Sequence, residues 1–223
     1  MNAIRSLQLE GVQAARVAVI VAHPDDETLW AGGLLLGHPE WTTFIVGLCR
    51  GGDPDRAPRF RLALERLGAK GILGNLDDGP EQYPLPPGQI EDALLALLPI
   101  RTFDLVLTHA PEGEYTTHRR HGEVSLAVRE LWRRGDLQAT SLWQFAYEDG
   151  AGAHLPRPRA HASCQLPLTE ELWRWKLAIL ADCYGFAATS WEVRAAPRSE
   201  AFDGFDEPGA IPPWGGEGRE LSR

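Results

Sequence analysis

The stretch RVAVIVAHPDDE, residues 16–27, decides how this chain folds. Residues 16–22 form a short apolar run rich in β-branched side chains, which is typical of a buried strand. His23-Pro24-Asp25-Asp26 follow at once as a tight turn. Residues 27–37 (ETLWAGGLLLG) then have the composition of a helix, and acidic residues near its start suit the positive end of the helix dipole. We therefore expect a strand, a turn and a helix, with histidine and carboxylate side chains in the turn.

The same alternation continues along the chain. The pattern predicts further strands at residues 41–49, 71–73 and 104–108, and helices at 59–68, 89–98 and 119–134. Later come predicted strands at 141–147 and 161–166, for which an antiparallel arrangement is open, and a helix at 169–184 with Thr169 as its N-cap. Residues beyond about 194 are rich in glycine, proline and acidic side chains and are expected to be irregular.

Strands that alternate with helices predict one α/β domain spanning residues 1–223, with a core at about 16–193. The expected architecture is Rossmann-like: a mostly parallel sheet with helices on both faces, followed by C-terminal strands, a helix and a Gly/Pro-rich tail at about 194–223. Ligands of such folds bind beyond the carboxyl ends of the strands. Residues 23–26, 50–53 and 109–121 all follow predicted strands, so we expect these segments to meet in one crevice.

Composition narrows the class of function. The chain has 223 residues and a formal net charge of −9, without a long basic run, which disfavours nucleic-acid binding. Its three cysteines lack CxxC spacing, so a disulfide framework or a thiolate zinc site is not expected. The absence of an apolar run of membrane-spanning length and of a secretory signal predicts a cytoplasmic protein. Homo-oligomers through tail tryptophans remain open. The arginines of one predicted helix are interpreted as a solvated face: Arg119, Arg120, Arg129, Arg133 and Arg134.

The turn at residues 23–26 has two interpretations. His23 and Asp26, three residues apart on a turn constrained by Pro24, can direct two ligands at one point, and Asp25 and Glu27 add negative charge that a cation would offset. Alternatively, Asp25 or Asp26 caps the helix and His23 is only a polar neighbour. Spacing alone does not decide between a metal site and a helix cap.

A second candidate segment is His118-Arg119-Arg120-His121, at the start of the helix predicted from residue 119. Two histidines three apart on a helix lie on one face, although two surface histidines would have the same spacing. With His23 and Asp26, one histidine of this segment would complete a set of two histidines and a carboxylate. Such a set leaves a fourth position open, as in catalytic zinc sites, and iron or manganese would also be accepted.

In combination, AHPDDE (residues 22–27) and the later GEYTTHRRH (residues 113–121) resemble the LmbE-like, or PIG-L, family of metal-dependent de-N-acetylases. The similarity extends from about residue 16 to 121, with fainter agreement to about 184. Further matches are LCRGGDPDR (residues 48–56), Arg56 ahead of Leu67-Gly68, and LDDG (residues 76–79).

The resemblance implies a mononuclear zinc held by His23, Asp26 and His121. It implies that Asp25 is the general base and that a protonated His118 stabilises the tetrahedral oxyanion. These roles agree with simple chemistry, since zinc activates water and polarises an amide carbonyl, and a carboxylate can take the proton during attack.

Two departures from the family's pattern concern the second motif and the late helix. Many members have His-Pro-Asp-His, in which the aspartate supports the first histidine, whereas this chain has Arg119 and Arg120 between the histidines. An acidic partner for His118 would have to come from elsewhere, with three glutamates as candidates: Glu112, Glu114 and Glu148. The late helix continues to Tyr184-Gly185-Phe186, where many relatives have Ser-Gln.

Other polar residues are weaker candidates. Arg56 is assigned to substrate binding, with a surface role as the alternative. Asp53 is expected to order its loop through turn hydrogen bonds rather than touch substrate. His109, at the end of a strand, is the reserve metal ligand. Histidines without companions are assigned to structure or surface: His38, His154 and His161. Three aromatic residues could line a sugar-stacking wall, although core packing is favoured for each: Tyr115, Trp30 and Trp143.

The leading hypothesis is a zinc-dependent hydrolase that removes an N-acetyl group from an N-acetylglucosamine-type sugar conjugate, with this small molecule as its partner. A second hypothesis keeps the metal but assigns another amide or a phosphoester. A third is a non-catalytic α/β module that binds a nucleotide, against which the chain has neither GxGxxG after a strand nor a Walker A sequence.

Overall fold

The computed structural model describes residues 15–86, 88–115 and 118–211. In chain order its strands and regular helices are β1 (Arg16–Val21), α1 (Asp26–Gly37), β2 (Thr42–Cys49), α2 (Arg56–Leu67), β3 (Lys70–Leu76), α3 (Gln89–Leu97), β4 (Thr102–Thr108), α4 (Arg119–Arg134), β5 (Gln138–Phe145), β6 (Tyr147–Glu148), β7 (Arg157–Pro158), β8 (Cys164–Pro167), α5 (Glu170–Ala178), α6 (Trp191–Ala195) and β9 (Ser199–Phe205). Two predictions concern residues that lie outside the described ones: that residues 1–14 contain no secretory signal, and that tryptophans of the tail could join subunits.

A seven-stranded sheet has the order β3-β2-β1-β4-β5-β9-β8. Strands β1 to β5 are parallel, whereas β9 is antiparallel to both β5 and β8. The predicted α/β fold with a mostly parallel sheet is therefore confirmed. Strands β2 and β3 lie on one side of β1, and β4 and β5 lie on the other. The strand order therefore reverses between β1 and β4, and this reversal is the topological switch point of the sheet.

Both faces of the sheet are covered because side chains of a strand alternate in direction. Along β1, Val17, Val19 and Val21 belong to one core cluster, which includes residues of α1 and α2. Ala18 and Ile20 belong to a second cluster, which includes residues of α3 and α4. The uninterrupted apolar run of β1 is thus what a strand buried on both faces requires.

The prediction of an irregular tail from about residue 194 is wrong in part, because Ser199–Phe205 forms strand β9 inside the sheet. Glu200 makes this strand hard to predict from the sequence, since a carboxylate is unusual in a buried strand. Its Oε1 accepts a hydrogen bond from Lys176 Nζ at 2.7 Å, and both side chains are fully buried. Each carboxylate oxygen of Glu200 also accepts a backbone N–H of α1. The buried acid is therefore fully paired.

The late helix is shorter than predicted and changes pitch. Thr169 is its N-cap, as predicted, and its hydroxyl accepts the N–H of Leu172 at 3.2 Å. After α5 the chain continues as one π-helical turn, Ile179–Cys183. In the part of the chain that the structure describes, no helix is long and apolar enough to cross a bilayer.

Candidate metal centre and catalytic cleft

The turn between β1 and α1 has a strained backbone at Asp25, whose φ is 118° and ψ −29°. Residues other than glycine rarely adopt this conformation, and such strain concentrates at functional sites. The Asp25 N–H donates to Glu27 Oε2 at 3.0 Å. Asp25 occupies the N-cap position of α1, yet its side chain makes no capping hydrogen bond. A simple helix cap therefore does not explain this turn.

Three ligand atoms from the two predicted segments converge at the switch point. His23 Nδ1 lies 3.3 Å from Asp26 Oδ2 and 3.3 Å from His121 Nε2. His121 Nε2 lies 3.4 Å from Asp26 Oδ2. These atoms, which we call the ligand triangle, form a nearly equilateral set. His23 and Asp26 come from the β1–α1 turn, and His121 comes from the first turn of α4.

The ligand triangle has the dimensions of a zinc site. Zinc takes two imidazole nitrogens and a carboxylate oxygen at bond lengths of about 2.0–2.1 Å, and tetrahedral angles then separate the ligand atoms by about 3.3–3.4 Å. The three measured separations, 3.3, 3.3 and 3.4 Å, agree with this spacing. The residues present therefore fit a mononuclear zinc with three protein ligands and one open position.

The other nitrogen of His23 is held by Asp78. His23 Nε2 lies 3.1 Å from Asp78 Oδ1, so an N–H at this position donates to the carboxylate and leaves Nδ1 free as a ligand. Arg50 binds Asp78 Oδ2 through Nε at 2.9 Å and Nη2 at 2.6 Å. Burial lowers the pKa of His23, but the hydrogen bonds and charges of Asp26 and Asp78 outweigh it and, without a cation, raise this pKa to about 10.

His121 has the same kind of support from Glu114. Its Nδ1 lies 2.7 Å from Glu114 Oε2, and both side chains are fully buried. An N–H at Nδ1 therefore donates to the carboxylate and directs the Nε2 lone pair into the ligand triangle. Glu114 Oε1 accepts the N–H of Ala110 at 3.2 Å, so both carboxylate oxygens are used.

His109 lies beside the ligand triangle, but both of its ring nitrogens already interact with other groups. Its Nε2 accepts the backbone N–H of Ala22 at 3.0 Å, and its Nδ1 lies 2.9 Å from Glu114 Oε2. His109 is stacked on His121, with ring centroids 3.9 Å apart. Because the only nitrogen without a proton already accepts a hydrogen bond, His109 packs against the centre rather than serving as the reserve ligand.

Other donor groups also lie close enough to hold a cation. Asp26, His109 and His121 form one such group, and His23, Cys49 and Asp78 form a second. A third group, His23, His118 and His121, exchanges the Asp26 carboxylate for His118, whose Nδ1 has no hydrogen-bond partner among the described residues to orient the ring. The first depends on the occupied nitrogen of His109. The second depends on Asp78, whose Oδ1 already faces His23 Nε2 and whose Oδ2 already accepts two hydrogen bonds from Arg50, and on Cys49, whose thiol pKa burial raises to about 12 in the absence of a cation. The ligand triangle is therefore the better site.

Asp25 is placed to act next to this centre. Its Oδ2 accepts a hydrogen bond from Arg56 Nη1 at 3.1 Å, whereas Oδ1 accepts none from the described residues. Burial and the charge of Asp26 raise the pKa of Asp25, and the charges of Arg56 and His23 oppose that rise. Arg56, predicted to contact substrate, lies in the cleft but spends one N–H on Asp25, and its guanidinium lies 5.2 Å from the Phe186 ring.

His118 lies against the ligand triangle without an acidic partner. Its ring centroid is 4.5 Å from that of His121 and 4.7 Å from that of His23. Its Nδ1 is buried and has no hydrogen-bond partner among the described residues. Burial and the charges of His121 and His23 lower the pKa of His118 to about 3. Without a cation, this arrangement disfavours the protonated His118 that the resemblance implies, and Glu114, one of its candidate partners, contacts His109 and His121 instead.

Arg120, which stands where many relatives have an aspartate, turns away from His118. Its side chain is fully buried, so its assignment to a solvated face is wrong. Arg120 donates to the backbone carbonyls of Asp77 at 2.5 Å and Tyr83 at 2.8 Å and forms an ion pair with Glu123. It thereby ties the loop that carries Asp78 to α4.

The ligand triangle opens into a cleft of about 290 Å³. Three further side chains that line the cleft are called the rim here: Tyr115, Trp191 and Glu192. The Tyr115 and Trp191 ring centroids lie 4.7 Å apart. Trp30 and Trp143 are buried in the core, as favoured from the sequence, whereas Tyr115 lines the cleft.

Several groups contribute to the centre although the sequence did not assign them a role there. Asp78 lies in the LDDG match, and Glu114 was considered only for His118. Nothing in the local pattern marks Trp191. Asp53 behaves as predicted, since its Oδ1 accepts the N–H groups of Asp55 and Arg56, both at 2.9 Å.

No family model matches the chain, and no curated protein matches it in sequence. Solved structures do. The N,N'-diacetylchitobiose deacetylase from Pyrococcus horikoshii superposes with a TM-score of 0.64 at 14% identity, covering 86% of this chain and 84% of that one. GalB, the 4-carboxy-2-hydroxymuconate hydratase from Pseudomonas putida KT2440, gives 0.61 at 16% identity, over 88% and 97% of the two chains.

The zinc-inhibited form of teicoplanin deacetylase superposes with a TM-score of 0.57 at 14% identity, covering 76% of this chain and 83% of that one. At such identities the likeness establishes the fold. In fold alone, it agrees with the resemblance to LmbE-like deacetylases seen in the sequence. Since GalB is named a hydratase, the function has to be argued from the residues of the site.

Proposed function

We propose that this protein is a metal-dependent de-N-acetylase, which hydrolyses the N-acetyl group of an N-acetylglucosamine-type sugar conjugate and releases acetate and a free amine. One observation carries the proposal. A ligand triangle of zinc dimensions shares one cleft with Asp25, whose Oδ1 accepts no hydrogen bond from the described residues, and with His118, whose Nδ1 has no partner among them. The structural likeness to two proteins named deacetylases supports it.

Zinc is the proposed cation, held by His23, Asp26 and His121, and iron or manganese would also fit these nitrogen and oxygen donors. When bound, it would supply a Lewis acid that polarises the acetamide carbonyl and lowers the pKa of the attacking water. The protein's own part is to hold the ligand atoms in place, through Asp78 on His23 and Glu114 on His121.

Asp25 is the proposed general base. Its Oδ1 takes a proton from the water as oxygen attacks the acetamide carbon, and later returns that proton to the leaving nitrogen. Arg56 holds Oδ2 at 3.1 Å, which fixes the direction of Oδ1. A second Arg56 N–H remains the proposed contact to the substrate.

His118 is the proposed oxyanion donor. As the carbonyl carbon becomes tetrahedral, negative charge develops on its oxygen, and an imidazole N–H can donate to it without carrying a full charge. A neutral ring suits this position, because burial and the neighbouring histidines disfavour a positive charge there.

The test measures acetate release from a panel of N-acetylglucosamine conjugates by purified protein with one equivalent of zinc. Asp25→Asn keeps the size of the side chain but cannot accept the proton, so kcat should fall by about 10²–10⁴-fold. Bound zinc, measured by elemental analysis, should stay at one equivalent. Asp182→Asn, on an exposed residue away from the cleft, is the matched control and should behave as wild type.

Two outcomes would overturn the proposal. Full activity in Asp25→Asn would remove Asp25 from its role. Zinc-loaded wild-type protein that releases no acetate from any conjugate, but hydrates an unsaturated acid or liberates phosphate from a sugar phosphate, would assign another reaction to the same centre.

A further inference from the structure

The rim of the cleft contains a carboxylate without a partner. Glu192, at the start of α6, lines the cleft and is half-buried, and its side chain makes no hydrogen bond or ion pair with any described residue. The other carboxylates of the cleft are all engaged: Asp25 with Arg56, Asp78 with Arg50, and Asp26 in the ligand triangle.

The cations of the cleft are engaged as well. Arg50 and Arg56, the two arginines that line it, each bind a carboxylate at 2.6 and 3.1 Å respectively. A phosphate or carboxylate on the substrate would therefore meet two guanidinium groups whose charges are already balanced by Asp78 and Asp25, and it would also meet the unbalanced charge of Glu192. The balance of charge favours a substrate that is neutral beside the acetamide.

An aromatic surface lies next to Glu192. Trp191 is 37% exposed, and its ring centroid lies 4.7 Å from that of the partly buried Tyr115. Tyr115 in turn lies 5.5 Å from the ring of His121. Two ring contacts thus lead from the ligand triangle to Trp191. An aromatic face beside a hydrogen-bond acceptor is the combination that binds the apolar face and the hydroxyls of a sugar ring.

We infer that Trp191 and Glu192 form a sugar-binding subsite that selects neutral N-acetylhexosamine conjugates over anionic ones. Trp191 packs on the face of the pyranose ring, and the Glu192 carboxylate accepts hydrogen bonds from its hydroxyls. The same carboxylate repels a phosphate or carboxylate substituent. This inference rests on the proposed deacetylation, and it names the substrate class that the cleft accepts.

Two variants test the two halves of the subsite. With N,N'-diacetylchitobiose, Trp191→Ala should raise KM roughly tenfold with kcat nearly unchanged, because stacking contributes to binding and not to the acetamide chemistry. The same variant should hydrolyse a small acetamide without a sugar as wild type does. Trp175→Ala, on an exposed tryptophan of α5 away from the cleft, is the control.

The second variant tests the selection against anionic substrates. The kcat/KM of wild-type protein should be higher for N-acetylglucosamine than for N-acetylglucosamine 6-phosphate. Glu192→Gln should reduce that preference roughly fivefold, because one repulsive charge is removed, and the effect should shrink in high salt. Glu171→Gln, on an exposed residue of α5, should leave the preference unchanged. A phosphate sugar preferred by wild type, or a preference that Glu192→Gln does not alter, would overturn the charge selection.

Binding separates this inference from the proposed function. Calorimetric titration of chitobiose into zinc-loaded protein should show weaker binding to Trp191→Ala than to wild type even if no acetate is released. Sugar binding that depends on Trp191 without deacetylation would contradict the proposed reaction alone. Acetate release with KM and binding unchanged in Trp191→Ala would contradict the subsite alone.

Discussion

The ligand triangle and the rim lie along one cleft, and they differ in how their polar groups are held. In the ligand triangle, each histidine uses one ring nitrogen as a ligand atom and hydrogen-bonds a buried or half-buried carboxylate through the other. The carboxylate is Asp78 for His23 and Glu114 for His121. In the rim, the Glu192 side chain has no partner in the described residues. His118 also lines the cleft, and its buried Nδ1 has no hydrogen-bond partner among the described residues.

The difference separates two tasks. Ligand atoms at fixed distances reduce the cost of reorganisation when a cation binds, so they need hydrogen-bonded support. Groups that recognise a substrate must keep hydrogen-bonding capacity free for it. We therefore expect changes in the ligand triangle to abolish metal binding and activity together, changes at His118 to affect kcat alone, and changes at the rim to affect KM.

The largest effect is expected from His121→Ala, which removes one of three protein ligands. Zinc at 100 times its Kd stabilises a folded protein by about 2.7 kcal/mol, which raises Tm by roughly 5–10 °C in a chain of this size. Wild type should show this shift, and the variant should show neither the shift nor activity. His161→Ala, at an exposed histidine, is the control. A variant that still binds one equivalent of zinc would exclude His121 as a ligand.

His118→Ala is expected to have the next largest effect. Loss of an oxyanion donor should lower kcat by about 10²–10³-fold, with zinc content unchanged. His118→Gln retains an N–H donor and should recover part of the loss. If His118 were instead a ligand, both variants would lose zinc, and the distinction between His118 and His121 would be wrong.

A smaller effect is expected when the support of a ligand is removed. Glu114→Gln should weaken zinc binding by about 10–100-fold, because a neutral amide is a poorer acceptor for the His121 N–H. Competition with a chelator measures the affinity. Glu112→Gln, two residues away and exposed, is the matched control. Equal affinities in the two variants would show that Glu114 does not support the centre.

The sequence predicts the sheet well because its signals are local. The apolar run of β1 and the helical spacing of α4 each depend on a few neighbouring residues. β9 escapes prediction because Glu200 is buried by pairing with Lys176, which lies in another element. Local spacing shows which strands exist, but it does not show which distant partner neutralises a charge.

The same limit applies to the centre. His23 and Asp26 are predicted from one turn, whereas choosing His121 over His109 needed a family resemblance. The structure supplies a physical reason, since the Ala22 N–H occupies His109 Nε2. Asp78 and Trp191 lie on segments that reach the cleft only through the tertiary fold. Local sequence spacing therefore does not predict their place in the site.

The last expected effect concerns neither activity nor zinc affinity but the acid stability of the metal-free protein, and it tests how strongly Glu114 is held. Burial raises the pKa of Glu114, but its interactions with His109 and His121 outweigh burial and lower the pKa from 4.5 to about 2. A carboxyl whose folded pKa lies below its unfolded value stabilises the protein above the unfolded pKa. That contribution, on the order of 3 kcal/mol, is lost as the pH falls from about 4.5 to about 2.

Denaturant unfolding of chelator-treated wild type and Glu114→Gln at pH 7, 4.5 and 2.5 measures this contribution. The free energy of unfolding should differ most at pH 7, with wild type more stable, and the two proteins should converge toward pH 2.5. Other carboxylates lose their charge in both proteins, so the difference isolates Glu114. A difference that does not change with pH would mean that Glu114 contributes through packing alone, and the contrast between a charge-supported ligand triangle and an unsupported rim would lose its electrostatic basis.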